Sequence, residues 1–248
     1  MFCSSKFKQD LLRISVGSLA AVLALMPMAA AGRPGNETAA EMALAPSYCP
    51  DTMSYGKPGS VPDNPSPEAK RWVAVMGKSF WAMHHYCWGE INRQRAMRRG
   101  VSPVIRQGLL ESALGDYAYV VNYAPDDFVL APEIRTRMGE VQLLLARPRD
   151  AEKSFAKARA LKRDYWPAYS HWVEYLMKVG RNAEARKLVG EGLKYAPRSR
   201  VLREQNRVLS KRRQAIAAQP GDSDASSESE GASTESAEAS ASMASPKQ

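Results

Sequence analysis

The densest group of chemically capable side chains is His84-His85-Tyr86-Cys87-Trp88. On a helix, residues three apart share a face, so His84 and Cys87 can address one metal ion. Zinc or copper would need at least one more ligand, and Cys49 is available for it. A competing arrangement uses the same atoms differently. With Cys87 oxidised to Cys49, the histidines pack and hydrogen-bond among Phe80, Trp81 and Trp88, and this second arrangement is the expected one. Cys-x-x-Cys-His does not occur, which leaves no haem attachment motif.

Catalytic motifs are absent. The chain has no Gly-x-Ser-x-Gly elbow, no phosphate loop, no dinucleotide glycine fingerprint and no His-Glu-x-x-His. A Ser/His/Asp triad would rest on three histidines, His84, His85 and His171. The paired carboxylates Asp126-Asp127 lie in a predicted loop, with nothing to desolvate them or to separate their pKa values. No enzymatic activity and no cofactor are expected.

The elements that position these residues read as helices throughout. Ser66-Pro67-Glu68 and Ser102-Pro103 are helix openings: a serine cap, proline in the first turn and, at the first, an acidic residue near the positive helix end. Val73, Met76, Phe80, Cys87 and Ile91 recur at three, four and seven, a buried stripe running to about Arg99, with Gly77 or Gly89 marking a bend. Further helices are predicted from Ser102 to before Pro125, from Pro132 to Ala146, from Ala151 to Lys162, from Pro167 to Gly180 and from Ala183 to Tyr195. Asn182 is the expected cap of the last of these. Ser199 caps a final helix with Val201, Leu202, Val208 and Leu209 on one side and mostly Arg, Lys, Gln and Asn elsewhere. No strand pattern competes.

Both ends differ in character. Residues 1–31 read as an export signal or N-terminal anchor: Lys6, Lys8 and Arg13, an apolar stretch from Ile14, and Ala29-Ala30-Ala31 for cleavage. A stretch of about 18 apolar residues is the lower limit for a membrane span, so membrane attachment requires that the segment be retained. Residues 32–65, with Pro58, Pro62 and Pro65, are expected to be an extended leader. Residues 214–248 form an acidic Ser/Ala/Glu tail that cannot offset chain entropy by burial and is expected to be disordered. Export implies an oxidising, periplasmic or envelope-associated location, and there a Cys49–Cys87 disulfide is the default. The central region, 66–213, carries 29 Lys and Arg against 15 Asp and Glu. That surplus suits an anionic partner, such as an envelope polymer on a basic face, or else the acidic tail shields the body and keeps it soluble, which is the expected arrangement. Nucleic acid is not expected of an exported chain without a nucleic-acid-binding motif.

Residues 132–165 and 166–199 repeat one pattern at an offset of 34. Ala151 returns as Ala185, Phe155 as Val189, Ala158 as Gly192, and Leu145-Ala146-Arg147 as Val179-Gly180-Arg181. With Gly139, Tyr169, Trp172 and Pro197 in their slots, the pattern resembles the tetratricopeptide repeat. Arg135, Arg163 and Val173 depart from it. A degenerate copy with Gly108, Ala113, Tyr117 and Pro125 precedes these two. The resemblance implies an all-α, right-handed stack of antiparallel helix pairs, a TPR-like α-solenoid, over 66–213.

The resemblance also implies which residues face the inner groove: Glu133, Thr136, Glu140, Leu143 and Leu144 in the first copy, and Pro167, Ser170, Glu174, Met177 and Lys178 in the second. Lys153, Lys157, Arg186, Lys187 and Lys194 fall on the second helices. The groove is thus acidic on a basic protein and suits a basic or polar peptide, unless its glutamates pair with neighbours such as Arg135 or Arg137. In the string Tyr165, Trp166, Tyr169, Trp172, Tyr175, only Trp166 and Tyr175 are left free for a glycan. The expected function is a non-enzymatic adaptor of the periplasm or envelope that holds a protein or peptide partner. The alternatives are a metal-binding protein built on His84, Cys87 and Cys49, and an envelope polymer binder using the basic convex face.

Overall fold

The computed structural model describes residues 37–53 and 64–217. Two short helices, α1 (Ala39–Leu44) and α2 (Cys49–Met53), precede α3 (Pro67–Met76) and a 3-10 segment, Gly77–Ala82. There follow α4 (Met83–Ala96), α5 (Pro103–Tyr123), α6 (Ala131–Leu144), α7 (Pro148–Leu161), α8 (Trp166–Lys178), α9 (Asn182–Tyr195) and α10 (Arg200–Ala217). No strand occurs among the described residues, and none of the helices is long and apolar enough to cross a membrane. The expected signal at 1–31 and most of the acidic tail lie outside the described residues.

The pairs α4–α5, α6–α7 and α8–α9 pack side by side, and α10 closes the stack against α9 and α8. The protein is an all-α array of antiparallel helix pairs. Its apolar seam runs through two clusters. One centres on Phe80, Tyr86, Cys87, Tyr117 and Ile134. The other holds Phe155, Tyr169, Trp172, Val189 and Leu202.

The caps fall where the serines predict. Ser66 Oγ accepts from Ala69 N at 3.0 Å, Ser102 Oγ from Ile105 N at 3.4 Å, and Ser199 Oγ from Leu202 N at 3.3 Å. Asn182 does not cap; it is the first residue of α9, and its side chain instead accepts from Arg212. The 34-residue offset is visible in the turns. Arg147 N bonds to Gln142 O, and Arg181 N bonds to Leu176 O, 34 residues on. The residues before them, Ala146 at φ 57° and Gly180 at φ 78°, are both left-handed, which closes each first helix in the same way.

Three expectations require correction. The described part of the leader is not extended: residues 39–44 and 49–53 are helical. Thr38 and Glu41 form a capping box that makes six residues sufficient for α1. The helix expected from 66 to 99 breaks at Gly77, whose φ of 63° a helix cannot continue through. Gly89, the other candidate for that bend, lies inside α4. The leading pair is also out of the expected register. Gly108 has open space around it, whereas a Cβ on Gly89 would lie 2.5 Å from Tyr117. Gly139 stands in the same relation to Phe155, at 2.7 Å. Gly89 therefore occupies the glycine slot of the first pair. A longer second helix and a longer turn had hidden it from the 34-residue count.

Candidate functional site

The first helices of the pairs, α4, α6 and α8, present one face threaded by charge. Glu90 on α4 accepts from the Tyr117 hydroxyl at 2.7 Å and from Arg93 at 2.7 Å. Arg137 on α6 approaches Glu90 at 3.5 Å and donates to Glu140 at 2.9 Å. His171 on α8 reaches Glu140 at 2.8 Å. Tyr86 donates to Glu133 at 2.8 Å. The series Arg93–Glu90–Arg137–Glu140–His171 thus crosses three helices, each carboxylate held between two nitrogen-bearing side chains. Burial works to raise the Glu140 pKa, but the hydrogen bond from His171 and the charge of Arg137 outweigh it and hold the carboxyl below its ordinary range. Burial first, and then the charge of Glu133, pushes Tyr165 up to about 12, so it stays a neutral phenol beside this series.

At the α6–α8 end this face opens into a pocket of about 340 Å³ lined by Glu140, Leu143, Leu144, His171, Glu174, Tyr175 and Lys178. Leu144 is 47 % exposed. Tyr175 lies parallel to Trp172, ring centroids 4.9 Å apart. Glu174 is exposed and has no ion-pair or hydrogen-bond partner among the described residues.

The groove residues expected from the sequence divide into three groups. Glu140, Leu143, Glu174 and Lys178 come together in the pocket, with Leu144 beside them. Glu133 lies further along, bonded to Tyr86, and Met177 is half-buried. Thr136 and Ser170 are buried beneath the surface. The Thr136 hydroxyl donates to Pro132 O, and Ser170 accepts from Gln205 through both its carbonyl and its hydroxyl. The expected pairing of a groove glutamate with Arg137 is present, at Glu140, whereas reasoning from the sequence missed Glu90 and the groove role of His171. Yet Arg137 and His171 are 34 residues apart. They fill one slot in two copies, and both reach Glu140; that coincidence was available in the sequence.

Cys49 and Cys87 form a disulfide, Cα–Cα 5.7 Å, in the same buried cluster as Tyr48 and Tyr86. Both sulfurs are consumed, so the metal arrangement on His84, Cys87 and Cys49 has lost two of its three ligands. His84 Nδ1 donates to Trp81 O at 2.6 Å, and its ring meets Trp88 edge-on. Burial lowers the His84 pKa, which favours the neutral ring. Among the described residues, no cluster of three metal-ligating side chains forms. In the aromatic string, Tyr169 and Trp172 are core, while Trp166 is 39 % exposed. Lys153, Lys157, Lys187 and Lys194 point to solvent from α7 and α9.

No family model matches the chain, and no curated protein matches it either. Among solved structures, the chain is similar to the first tetratricopeptide domain of Spaghetti (RPAP3) bound to the HSP90 peptide SRMEEVD. The identity is 21 %, the match covers 53 % of this chain and 97 % of that one, and the TM-score is 0.37.

Proposed function

We propose that the protein is a non-enzymatic adaptor that holds a peptide segment of a partner protein on the face of α4, α6 and α8. The observation that carries this reading is the pocket between α6 and α8. Leu143, Leu144 and Tyr175 give it an apolar floor, and Glu174 is a carboxylate with no partner among the described residues. An apolar side chain on that floor removes apolar area from water at roughly 25 cal/mol per Å². A Lys or Arg one or two residues along the peptide meets Glu174. The partner segment is therefore basic and apolar, although the protein itself carries a formal net charge of +9.

The arrangement favours holding over chemistry. His171 could serve as a base, but its partner Glu140 is also tied to Arg137, and no Ser, Thr or Cys lines the pocket. A periplasmic or envelope location fits the N-terminal export pattern of the sequence, and the Cys49–Cys87 disulfide supports an oxidising compartment. The test is a peptide array probed with the full chain at fixed ionic strength. Basic–apolar peptides should bind, and Glu174→Lys should abolish their preference over acidic ones. A preference for acidic peptides by the native chain, or one that Glu174→Lys leaves unchanged, contradicts the proposal.

A further inference from the structure

A second opening lies on the side of the second helices, between α7 and α9. It is a pocket of about 370 Å³ lined by Ala156, Arg159, Ala160, Arg163, Tyr169, Glu191 and Tyr195. Three of its polar groups are under-used. Arg159 is half-buried, with its guanidinium 5.5 Å from the Tyr169 ring centroid. It donates one hydrogen bond, to Ala168 O at 3.3 Å, and no carboxylate lies within ion-pair reach among the described residues. Arg163, one turn on, lies 5.7 Å from the Tyr195 ring and also lacks a carboxylate partner. Tyr169 is 1 % exposed as a residue, but its hydroxyl makes no hydrogen bond to the described residues and opens to the pocket. Gly192 allows this arrangement, because a Cβ there would lie 2.9 Å from the Tyr169 ring.

We propose that this pocket binds a small zwitterion of the amino-acid class, with its carboxylate on Arg159, Arg163 and the Tyr169 hydroxyl and its ammonium against Glu191. Charge selects this class. Two guanidinium groups stand against one carboxylate, so a ligand carboxylate meets the guanidiniums and a ligand ammonium meets Glu191; a zwitterion answers both signs and leaves the wall's net charge of +1 unchanged. A phosphate dianion would exceed that positive charge and would be repelled by Glu191. Guanidinium binds carboxylate through two parallel hydrogen bonds, among the strongest neutral-pH pairings available to a protein. Ala156 and Ala160 give the ligand side chain an apolar floor. Burial holds the Arg159 pKa below its ordinary value, against the opposing effect of Tyr169, Glu191 and Glu152. The site is separate from the α6–α8 pocket and does not depend on what that pocket holds.

The test is calorimetric titration of the full chain with leucine, N-acetyl-leucine, leucine methyl ester and inorganic phosphate at constant ionic strength. Leucine should bind with a saturable heat, more tightly than the ester, the N-acetyl compound or phosphate. Arg163→Ala should weaken leucine about tenfold. Glu191→Gln should weaken leucine but strengthen N-acetyl-leucine, a crossover that unfolding cannot produce. Both side chains are exposed, Arg163 in the turn after α7 and Glu191 on α9, so both variants should retain the native circular dichroism spectrum and unfolding midpoint. Absence of saturable binding by any probe, or phosphate binding as tight as leucine, overturns the proposal. So does equal weakening of leucine and N-acetyl-leucine by Glu191→Gln.

Discussion

Replacing Gly139 with alanine should destabilise the protein, although alanine is the better helix former. The added Cβ would sit 2.7, 2.8 and 2.9 Å from three carbons of the Phe155 ring, inside normal contact distance. Phe155 has no exposure and is flanked by Trp172 at 6.0 Å and His171 at 6.4 Å, so the ring has nowhere to swing. Overpacking of this kind costs about 1–3 kcal/mol. Intrinsic helix propensity returns up to about 1 kcal/mol. The net loss should be about 1–2 kcal/mol, measured as the shift in urea midpoint multiplied by the slope. Gly115 and Gly190 are internal controls: both are helical with open space around the Cβ position, so alanine there should gain about 0.5–1 kcal/mol. The second copy carries its own remedy, Val173 opposite Val189, both fully buried. Adding Phe155→Val to Gly139→Ala should therefore cost less than the sum of the two single changes, by about 0.5–3 kcal/mol. If Gly139→Ala stabilises as the controls do, or if the double variant is strictly additive, the matched packing of first and second helices is refuted.

Other perturbations probe separate links. The Cys49–Cys87 bridge closes a separation of 38 residues. In the chain-entropy picture its loss should cost about 4 kcal/mol, read from urea curves with and without reductant. Glu41 is 2 % exposed, and hydrogen bonds from Arg95, with burial opposing, hold its carboxyl well below the ordinary 4.5. A depressed folded pKa means that the unfolded chain binds the proton first. The Glu41 contribution is thus complete above about pH 5 and declines as pH falls below 4.5. Glu41→Gln should flatten that acid limb in thermal melts taken from pH 6 to pH 2.5. Ala146 is held at φ 57°, where its counterpart is Gly180. Strain there is about 1–2 kcal/mol and glycine loses part of that to entropy, so Ala146→Gly should raise stability by roughly 0.5–1 kcal/mol, seen as a higher urea midpoint.

Much of the fold was legible because its determinants are local. Serine caps, prolines in first turns and left-handed stops mark the helix ends wherever they occur. The 34-residue recurrence gave the pairing of α6 with α7 and of α8 with α9. What could not be read depended on contacts distant in sequence. Gly89 meets Tyr117 across 28 positions, too far for the repeat count to register, so Gly108 took its place. α1 exists because Glu41 is gripped by Arg95 at 2.7 Å and Arg98 at 2.6 Å, more than fifty residues away. A composition rich in Pro and Gly gives no sign of that clasp. The groove was legible as a set of slots but not as a surface. Thr136 and Ser170 fit the pattern and are nevertheless buried, because helix crossing decides which edge of the stripe stays open. Tyr169 was correctly read as a packing residue, but its unbonded hydroxyl depends on where Arg159 and Glu191 fall around it.

The most direct test of the adaptor reading is photocrosslinking in cells, with a photoreactive residue at Leu144 on the groove rim or at Lys153 on the outer surface of α7. The Leu144 position should give a discrete adduct with one partner protein, lost when Glu174→Lys is added, while the Lys153 position gives none. An adduct at Lys153 alone, or one at Leu144 that survives Glu174→Lys, would mean that partners are not held on the face of α4, α6 and α8.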